Sequence, residues 1–379
     1  MSTEAVVSAI KDSEITRASL RIAGRSTWLD AGRPVRADKT LSLREDSGVV
    51  AYVPGDLTLT VRAGTSLAEI ERVTEEHDQW LPLDPYGTQD GTIGATIATA
   101  SAGPLASHFG LPRDLLLGLE FVNGRGDVVR GGGKVVKNVA GFDLSRLLTG
   151  SWGTLGVITE VTLRLYARPQ ADRTFVISLR GEQAIALAHA AYTSLAPYAL
   201  QFVGASAARA LGLGEHPVCL IRLGGNDATV AEQLIALSQI ARPEEVELRI
   251  WNSLRELDRN ADSVVRISNL PAQFIGTSGR ILGDDLPAVY TNIDPRRGVM
   301  RVVVGTNGEA RDDDVLTAGT SVEFGSDGGR SSEVIFEKLP PDVWAQVSPT
   351  VVADPLSQGI KRAYDPHNLL NPGILGGLT

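Results

Sequence analysis

Residues 82–103 read PLDPYGTQDGTIGATIATASAG, and this stretch decides how the first part of the chain folds. The tetrapeptide GTIG at 91–94 opens a run of small residues, which keeps bulky side chains away from the backbone. A helix packed tightly on a sheet favours the same composition, so a purely structural role is an alternative. Pro82, Asp84 and Pro85 precede the run and fix an extended approach to it. We therefore expect a ligand to approach the backbone closely here.

A second glycine-rich segment, RIAGRSTWLDAG at 21–32, has a strand-like start that ends at GRST, residues 24–27. Successive backbone N–H groups of such a turn can point at a pyrophosphate, and the hydroxyls of Ser26 and Thr27 can add donors. An ordinary surface turn has the same composition. The turn alone therefore leaves both interpretations open.

The third segment, GGGKVVKNVAGFDLSRLLTGSWGTLGVITEVTLRL, covers residues 131–165. Gly150, Gly153 and Gly156 recur at a spacing of three, which leaves bare backbone that a planar ring system could meet edge-on. A Rossmann site is excluded because no G-x-G-x-x-G follows a strand with an acidic residue about 20 positions later. A Walker phosphate loop is excluded because Lys134 is followed by valine rather than Ser or Thr.

Composition excludes several classes of protein. The 379 residues carry a formal net charge of −9 without clustered Lys and Arg, which argues against nucleic-acid binding. The first residues lack the pattern of a secretory signal, and no apolar run approaches the roughly 20 residues that span a bilayer. Cys219 is the single cysteine, so this chain cannot hold a four-thiolate iron–sulfur cluster, and we expect a buried thiol. The five histidines lack ligand spacing, so we expect no metal site.

Periodicity predicts two parts of the chain that differ in their secondary structure. In the first, residues 58–63 alternate as a strand, and Ser66 caps a helix that buries Leu67, Ile70 and Val73. Residues 115–122 and 127–130 form an antiparallel hairpin. From about 170 onward, strands alternate with amphipathic helices. The predicted strand segments there are TFVISLR, ALQFVG, VCLIRLGG, VELRIW, VVRIS, AVYTNI, VMRVVVG and SEVIFEKL.

The order of these segments resembles the FAD-binding domain of the vanillyl-alcohol oxidase and p-cresol methylhydroxylase (PCMH) superfamily. GRST, residues 82–103, VKNVAGFDL and GSWGTLGVITEVTLRL occur in sequence, and the chain closes with YDPHNLLNPGIL at 364–375. Within the superfamily, the chain resembles the FAD-binding E subunit of multi-subunit glycolate oxidase more than the D subunit. The resemblance implies an α+β fold. A PCMH-type FAD-binding domain of two α+β subdomains would cover 1–168, an α+β cap or substrate domain with an antiparallel sheet 169–350, and a segment returning to the FAD domain 351–379.

The resemblance also implies a noncovalent FAD site, because the pyrophosphate turn lacks the histidine that some members use for covalent attachment. The turn at 24–27 would hold the pyrophosphate, residues 91–94 would flank ADP and ribitol, and Asn371 would lie near the isoalloxazine. The predicted cofactor-binding residues are Gly24, Arg25, Ser26, Thr27, Pro82, Asp84, Gly91, Thr92, Ile93, Gly94, Thr99, Ser101, Gly150, Gly153, Thr154, Gly156, Val157, Ile158 and Asn371. No catalytic residue is assigned.

The sequence departs from superfamily members that oxidise 2-hydroxy acids by themselves. Those members carry an H-x-G-D-G-N-x-H type segment in the second domain, and this chain lacks it. His108, which follows the glycine-rich segment 82–103, is the one histidine with a candidate redox or substrate role. We therefore expect an FAD-carrying subunit that works with a sister flavoprotein subunit and an iron–sulfur subunit on a small 2-hydroxy acid. We expect it in the cytoplasm, with attachment to the inner membrane through partners as an option.

Two alternatives remain open at this point. The chain could be a self-sufficient FAD-dependent oxidase or dehydrogenase of a small hydroxy acid or alcohol, whose second domain closes over its own substrate. It could also be a structural subunit that no longer binds flavin.

Overall fold

The computed structural model describes residues 2–133, 143–179, 183–274, 289–305, 333–348 and 354–376 of the chain. Lys134 and the VKNVAGF part of the third glycine segment lie outside these residues. The chain divides into two compact units. Unit 1 comprises Met1–Ala102, Gly110–Arg168 and Trp344–Thr379, and unit 2 comprises Gly103–Phe109 and Pro169–Val343.

The strands alternate apolar and polar residues or consist of continuous apolar runs, as strands of half-buried and buried sheets do. In chain order they are β1 (Leu20–Ala23), β2 (Lys39–Ser42), β3 (Val49–Val53), β4 (Thr58–Arg62), β5 (Gln79–Trp80), β6 (Leu116–Asn123), β7 (Val128–Gly132), β8 (Gly156–Arg164), β9 (Tyr166–Ala167), β10 (Ala171–Ser178), β11 (Ala199–Val203), β12 (Val218–Gly225), β13 (Glu244–Val246), β14 (Ala261–Ser268), β15 (Val289–Asp294), β16 (Val299–Gly305) and β17 (Glu333–Lys338).

Most helices are short and connect these strands. In chain order they are α1 (Thr3–Thr16), α2 (Leu67–Glu75), α3 (Ile93–Thr99), α4 (Ala106–Phe109), α5 (Pro112–Leu115), α6 (Leu144–Leu148), α7 (Gln183–Thr193), α8 (Ala205–Ala210), α9 (Asp227–Ile240), α10 (Ile250–Glu256), α11 (Pro341–Gln346) and α12 (Pro355–Tyr364). Within the described residues, none of them is long and apolar enough to cross a bilayer.

Unit 1 is built on a five-stranded antiparallel sheet in the order β3-β4-β8-β6-β7. The predicted hairpin is confirmed as β6 and β7, whose turn is closed by Asn123 Oδ1, which accepts hydrogen bonds from the backbone N–H groups of Arg125 and Asp127. The predicted strand at 58–63 is confirmed as β4. A separate parallel pair, β1 and β2, and a short antiparallel pair, β5 and β9, complete the unit's strands among the described residues.

Helix α2 begins where its sequence predicts, but one of its buried residues differs from the prediction. Ser66 Oγ accepts a hydrogen bond of 3.2 Å from Glu69 N and so satisfies a donor of the first turn. Leu67 and Ile70 are buried as expected, whereas Thr74 is buried in place of Val73. Thr74 Oγ1 donates to the carbonyl of Ile70, and this bond allows a polar side chain to lie in the core.

Unit 2 is built on an eight-stranded antiparallel sheet in the order β13-β10-β12-β11-β15-β16-β14-β17. The predicted α+β fold class with an antiparallel second sheet is confirmed. Cys219 lies fully buried on the central strand β12, and burial raises the pKa of its thiol, so the predicted buried thiol is confirmed as well.

The strand predicted from VELRIW is wrong for most of its length. Pairing ends at Val246, and helix α10 begins at Ile250. The reason is the side chains at 251 and 254: Trp251 and Leu254 are three residues apart and both are buried, which is a helical spacing. Trp251 Nε1 also donates a 2.9 Å hydrogen bond to Thr174 Oγ1 on β10, which fixes the helix against the sheet.

The C-terminal segment joins the rest of unit 1 through a backbone bridge, and a buried ion pair lies within the segment. Leu20 N donates to Leu369 O at 2.7 Å and Leu20 O accepts from Asn371 N at 2.9 Å, so the tail pairs with β1 in parallel. Asp365 is buried, accepts Lys361 Nζ at 2.6 Å, and also accepts the backbone N–H of Leu370. Helix α12 and the tail are therefore locked together before the tail meets β1.

Replacing Asp365 by alanine is expected to lower the free energy of unfolding by about 3–5 kcal/mol, because Lys361 would keep a buried charge without its partner. Chemical denaturation of the apoprotein measures this change. Glu76→Ala is the matched control, since it breaks the exposed Arg72–Glu76 pair at the same sequence spacing and should change the free energy by no more than about 1 kcal/mol. Equal effects of the two substitutions would contradict the anchoring role of Asp365.

Candidate functional site

A cleft in unit 1 lies between the end of β1, the start of α3 and the C-terminal tail. Its cavity volume is about 150 Å³, and the empty space in and around it, which includes open solvent, is about 1100 Å³. The cleft is lined by residues 21–29, Ala31, Leu43, Ala63, 85–88, Gly91, Thr92, 94–96, Ala98, Thr99, Ser101, Trp152, Gly153, Gly156, Ile158, Asn371 and Ile374. All three glycine-rich segments and the tail thus contribute to one site.

The GRST turn lies directly against the start of α3. A Cβ atom on Gly24 would overlap the Thr92 hydroxyl and come within 3.1 Å of its Cγ2. Thr92 in turn caps α3, with Oγ1 accepting from Ala95 N. Ser26 adopts φ 61°, a left-handed conformation that residues with a side chain rarely adopt. The first two glycine segments therefore meet at Gly24, where a side chain would keep them apart.

Gly94 brings α3 equally close to the end of β4. Its N–H donates to Ala63 O at 2.9 Å, and a Cβ at this position would lie 2.7 Å from the Ala63 Cβ. Ile93, one residue earlier, is fully buried in the core. The small residues of α3 thus serve close packing on the sheet side as well as lining the cleft.

Asn371 joins the tail to both neighbouring segments. Its Oδ1 accepts a 2.8 Å hydrogen bond from Ile22 N, and its Nδ2 donates a 2.7 Å hydrogen bond to Trp152 O. A Cβ on Gly153 would lie 2.8 Å from that Nδ2. Asn371 lines the cleft, but its amide is occupied in holding β1 and the 150–156 loop together.

The structure brings most of the predicted cofactor-binding residues to the cleft. Those that line it are Gly24, Arg25, Ser26, Thr27, Gly91, Thr92, Gly94, Thr99, Ser101, Gly153, Gly156, Ile158 and Asn371. Those outside the lining are Pro82, Asp84, Ile93, Gly150, Thr154 and Val157. A role in cofactor binding stays a prediction for both groups.

Three of the residues outside the lining make contacts within the protein. Val157 is fully buried on β8, in the strand position next to cleft-lining Ile158, so the two side chains face opposite sides of the sheet. Thr154 Oγ1 donates to Ser151 O at 2.7 Å, and its carbonyl accepts from Lys361 Nζ. Gly150 N donates to Ile97 O at 3.1 Å.

The charge of the cleft is one-sided. Arg21 and Arg25 are among its lining residues, and none of the described lining residues is Asp or Glu. Hydroxyls of Ser26, Thr27 and Thr88 add neutral polar groups. Such a surface suits an anionic, acceptor-rich ligand, and a flavin dinucleotide with its diphosphate is of that kind.

Several lining residues were missed by the sequence prediction. Arg21 and Trp28 lie inside the segment 21–32, but they are neither glycine nor hydroxyl residues, which are the types that the pattern selects. Tyr86 and Thr88 follow Pro85 in the segment 82–103. The signal available for all four is adjacency to a glycine turn, which does not by itself reveal where a side chain points.

His108 is an exposed residue of unit 2 whose ring lies against aromatic neighbours. Its Nδ1 is 3.2 Å from Pro197 O, and its ring packs on Phe109 and Tyr198. Partial desolvation of the ring, with the nearby positive charge of Arg296, lowers the pKa of the imidazole, which favours the neutral form. A redox or substrate role for His108 stays a prediction. Within the described residues, no group of His, Cys, Asp and Glu could hold a metal ion.

Known proteins are similar in sequence to this chain. A family model described as an FAD binding domain matches residues 1–132. Glycolate oxidase subunit GlcE of Escherichia coli (strain K12) is 36% identical over 257 residues, which are 67% of this chain and 68% of that protein. D-2-hydroxyglutarate dehydrogenase of Xanthomonas citri pv. viticola is 27% identical over an alignment 397 positions long, gaps included, which covers 93% of this chain and 83% of that protein.

Among solved structures, p-cresol methylhydroxylase with substrate bound superimposes with a TM-score of 0.72 at 15% identity, covering 99% of this chain and 87% of that one. At this identity the likeness speaks for the fold. The resemblance found in the glycine segments is confirmed, and so is FAD as the cofactor. The fold is that of p-cresol methylhydroxylase, and the chain belongs to the family of FAD-binding proteins that includes glycolate oxidase subunit GlcE.

Proposed function

We propose that this chain is the FAD-carrying subunit of a complex that oxidises a small 2-hydroxy acid of the glycolate type to the 2-oxo acid. The observation that carries the proposal is the 36% identity to the glycolate oxidase protein GlcE over two thirds of both chains. The acid-free cleft of unit 1 supports it, because it offers glycine-lined backbone and two guanidinium groups to a dinucleotide. We place the complex in the cytoplasm, with attachment to the inner membrane through its partners.

Bound FAD can accept a hydride or an electron pair and can release the electrons one at a time. The chain's own residues do the remaining work. The GRST turn and Gly91–Gly94 shape the wall for the dinucleotide, while Trp152 and Ile374 add apolar surface that excludes water. Asn371 keeps the tail in contact with β1, so that the cleft stays closed on that side.

Electrons need a route out of this protein. Cys219 is the only cysteine of the sequence and is buried in β12, so an iron–sulfur centre of four thiolates requires another chain. A sister flavoprotein subunit that binds the 2-hydroxy acid and an iron–sulfur subunit that collects single electrons complete the proposed complex. The absence of the H-x-G-D-G-N-x-H segment from this sequence supports placing substrate oxidation on the sister flavoprotein.

A self-sufficient FAD-dependent dehydrogenase is the second candidate. The similarity to D-2-hydroxyglutarate dehydrogenase favours it, because that similarity extends over 93% of this chain and 83% of the relative, including unit 2. In this case unit 2 would bind the substrate itself.

Anaerobic mixing of the purified, FAD-loaded chain with glycolate, D-lactate or D-2-hydroxyglutarate separates the two candidates. We expect flavin bleaching far slower than the roughly 10 s⁻¹ typical of enzyme turnover, because the chain lacks the substrate-binding histidine segment. The same measurement on the complex purified with its partners should show rapid bleaching. Rapid reduction of the isolated chain by any of the acids would instead establish the self-sufficient enzyme.

A second experiment tests the cleft as the FAD site. Gly24→Ala should weaken FAD binding by about tenfold or more, because forcing a methyl group against Thr92 costs on the order of 1–3 kcal/mol. Fluorescence titration of the apoprotein with FAD measures the dissociation constant.

Two variants control this experiment. Thr92→Ala removes the overlapping hydroxyl and methyl groups and leaves the Cβ at 3.3 Å, but it also removes the α3 cap and a hydroxyl that lines the cleft. The double variant Gly24→Ala/Thr92→Ala should therefore bind FAD about as tightly as Thr92→Ala alone. Gly55→Ala adds a methyl group where nothing lies within 4 Å and should leave affinity unchanged. Normal FAD affinity of Gly24→Ala would remove this turn from the binding site.

A further inference from the structure

Three hydrogen-bond donors that line the cleft are buried and lack a partner within the described chain. They are Arg21 Nη1, Arg25 Nε and Trp28 Nε1. Buried donors without partners cost on the order of 1–3 kcal/mol each, so native proteins keep few of them. Three in one cleft, with no buried side-chain acceptor left unpaired among the described lining residues, point to a ligand that supplies acceptors.

Arg21 is held so that only part of its guanidinium is used by the protein. Nη2 donates a 2.8 Å hydrogen bond to Leu29 O, which fixes the plane of the group, while Nη1 has no partner within the described residues. Burial lowers the pKa of Arg21, yet a guanidinium stays protonated at neutral pH because its pKa lies so far above 7. A fixed, charged donor in an acid-free cleft binds anionic oxygen best.

The anionic oxygens of FAD at neutral pH are those of its diphosphate. The isoalloxazine and adenine rings are neutral there, so neither explains a desolvated cation. Trp28 directly follows the GRST turn and offers an indole N–H, which can only donate. Arg21 precedes the same turn by three residues, so the turn carries a donor side chain on each flank.

We propose that Arg21 and Trp28 bind the diphosphate of FAD from the two flanks of the GRST turn. Neither residue belongs to the glycine and hydroxyl pattern by which the site was predicted. The inference rests on the cleft being the FAD site. It adds side-chain recognition of the diphosphate to the main-chain recognition expected of the turn.

The test compares ligands with and without phosphate on the full-length apoprotein. Arg21→Met should raise the dissociation constant for FAD by about tenfold to a hundredfold, the usual loss for a hydrogen bond to a charged group. Riboflavin and adenosine, which lack phosphate, should bind as they do to the unchanged chain. The salt dependence of FAD binding should fall as well, because one cation is removed.

Three further variants sharpen the result. Arg21→Lys keeps the charge but not the planar fork, so its loss should be intermediate. Trp28→Phe keeps the aromatic ring and removes only the N–H, and should weaken FAD binding by about three- to tenfold. Arg36→Met removes an exposed arginine that does not line the cleft, and should have no effect.

The outcomes separate this inference from the proposed function. Unchanged FAD affinity in Arg21→Met, or an equal loss for FAD and riboflavin, would overturn the diphosphate role while leaving the proposed FAD-carrying function standing. Failure of the wild-type chain to bind FAD would overturn both the diphosphate role and the proposed FAD-carrying function. If Arg21→Met does not fold, the ratio of FAD to riboflavin affinity in Arg21→Lys and Trp28→Phe decides: a fall supports the proposal, and no change refutes it.

Discussion

Contact between backbone segments at positions without a Cβ is the constraint on which unit 1 depends. Gly24 against Thr92 joins the turn after β1 to the start of α3, and Gly94 against Ala63 joins α3 to the sheet. A side chain at Gly24 or Gly94 would collide with the facing segment. These close contacts therefore fix how the segments pack against each other. The same closeness removes bulk from one surface of the unit. A cleft walled by main chain is therefore a consequence of how the unit packs.

Electrostatics adds a local preference that opposes the charge of the whole protein. The chain carries a net charge of −9, which would repel an anionic cofactor if charges acted at long range. Salt screens exposed charges beyond roughly 8–10 Å, so distant carboxylates matter little to the cleft. Near the ligand position, Arg21 and Arg25 act without a carboxylate among the described lining residues. Local arrangement rather than net charge thus determines which ligand the cleft accepts.

Sequence patterns predicted the parts of this fold that repeat a simple period. Strand β4 alternates cleanly, and the β6–β7 hairpin has its turn residues in place, so the pattern identified them correctly. Prediction failed at VELRIW because β-favouring residues there serve a helix whose register is set by buried Trp251. A tertiary contact overrode local preference, and no local pattern carries that information.

The candidate site shows the same boundary between pattern and contact. A glycine in the sequence indicates that another group approaches the backbone closely, but it does not indicate whether that group belongs to a ligand or to the protein. Gly156 was expected to face a ligand; it does line the cleft, yet a Cβ there would run into the ring of Phe121 inside the protein. Arg21 and Trp28 were missed for the converse reason, since the lack of a protein partner for a donor becomes visible only when all neighbours are in place.

Completion of the site depends on the far end of the chain. The matched family model ends at residue 132, whereas the cleft also uses Trp152, Asn371 and Ile374. Because Asn371 bonds to Ile22 across 349 positions of sequence, the site is completed only when the end of the chain reaches β1. Bringing the tail to β1 closes a long loop and lowers the conformational entropy of the chain. A cofactor that binds only the completed cleft therefore stabilises the docked tail by mass action.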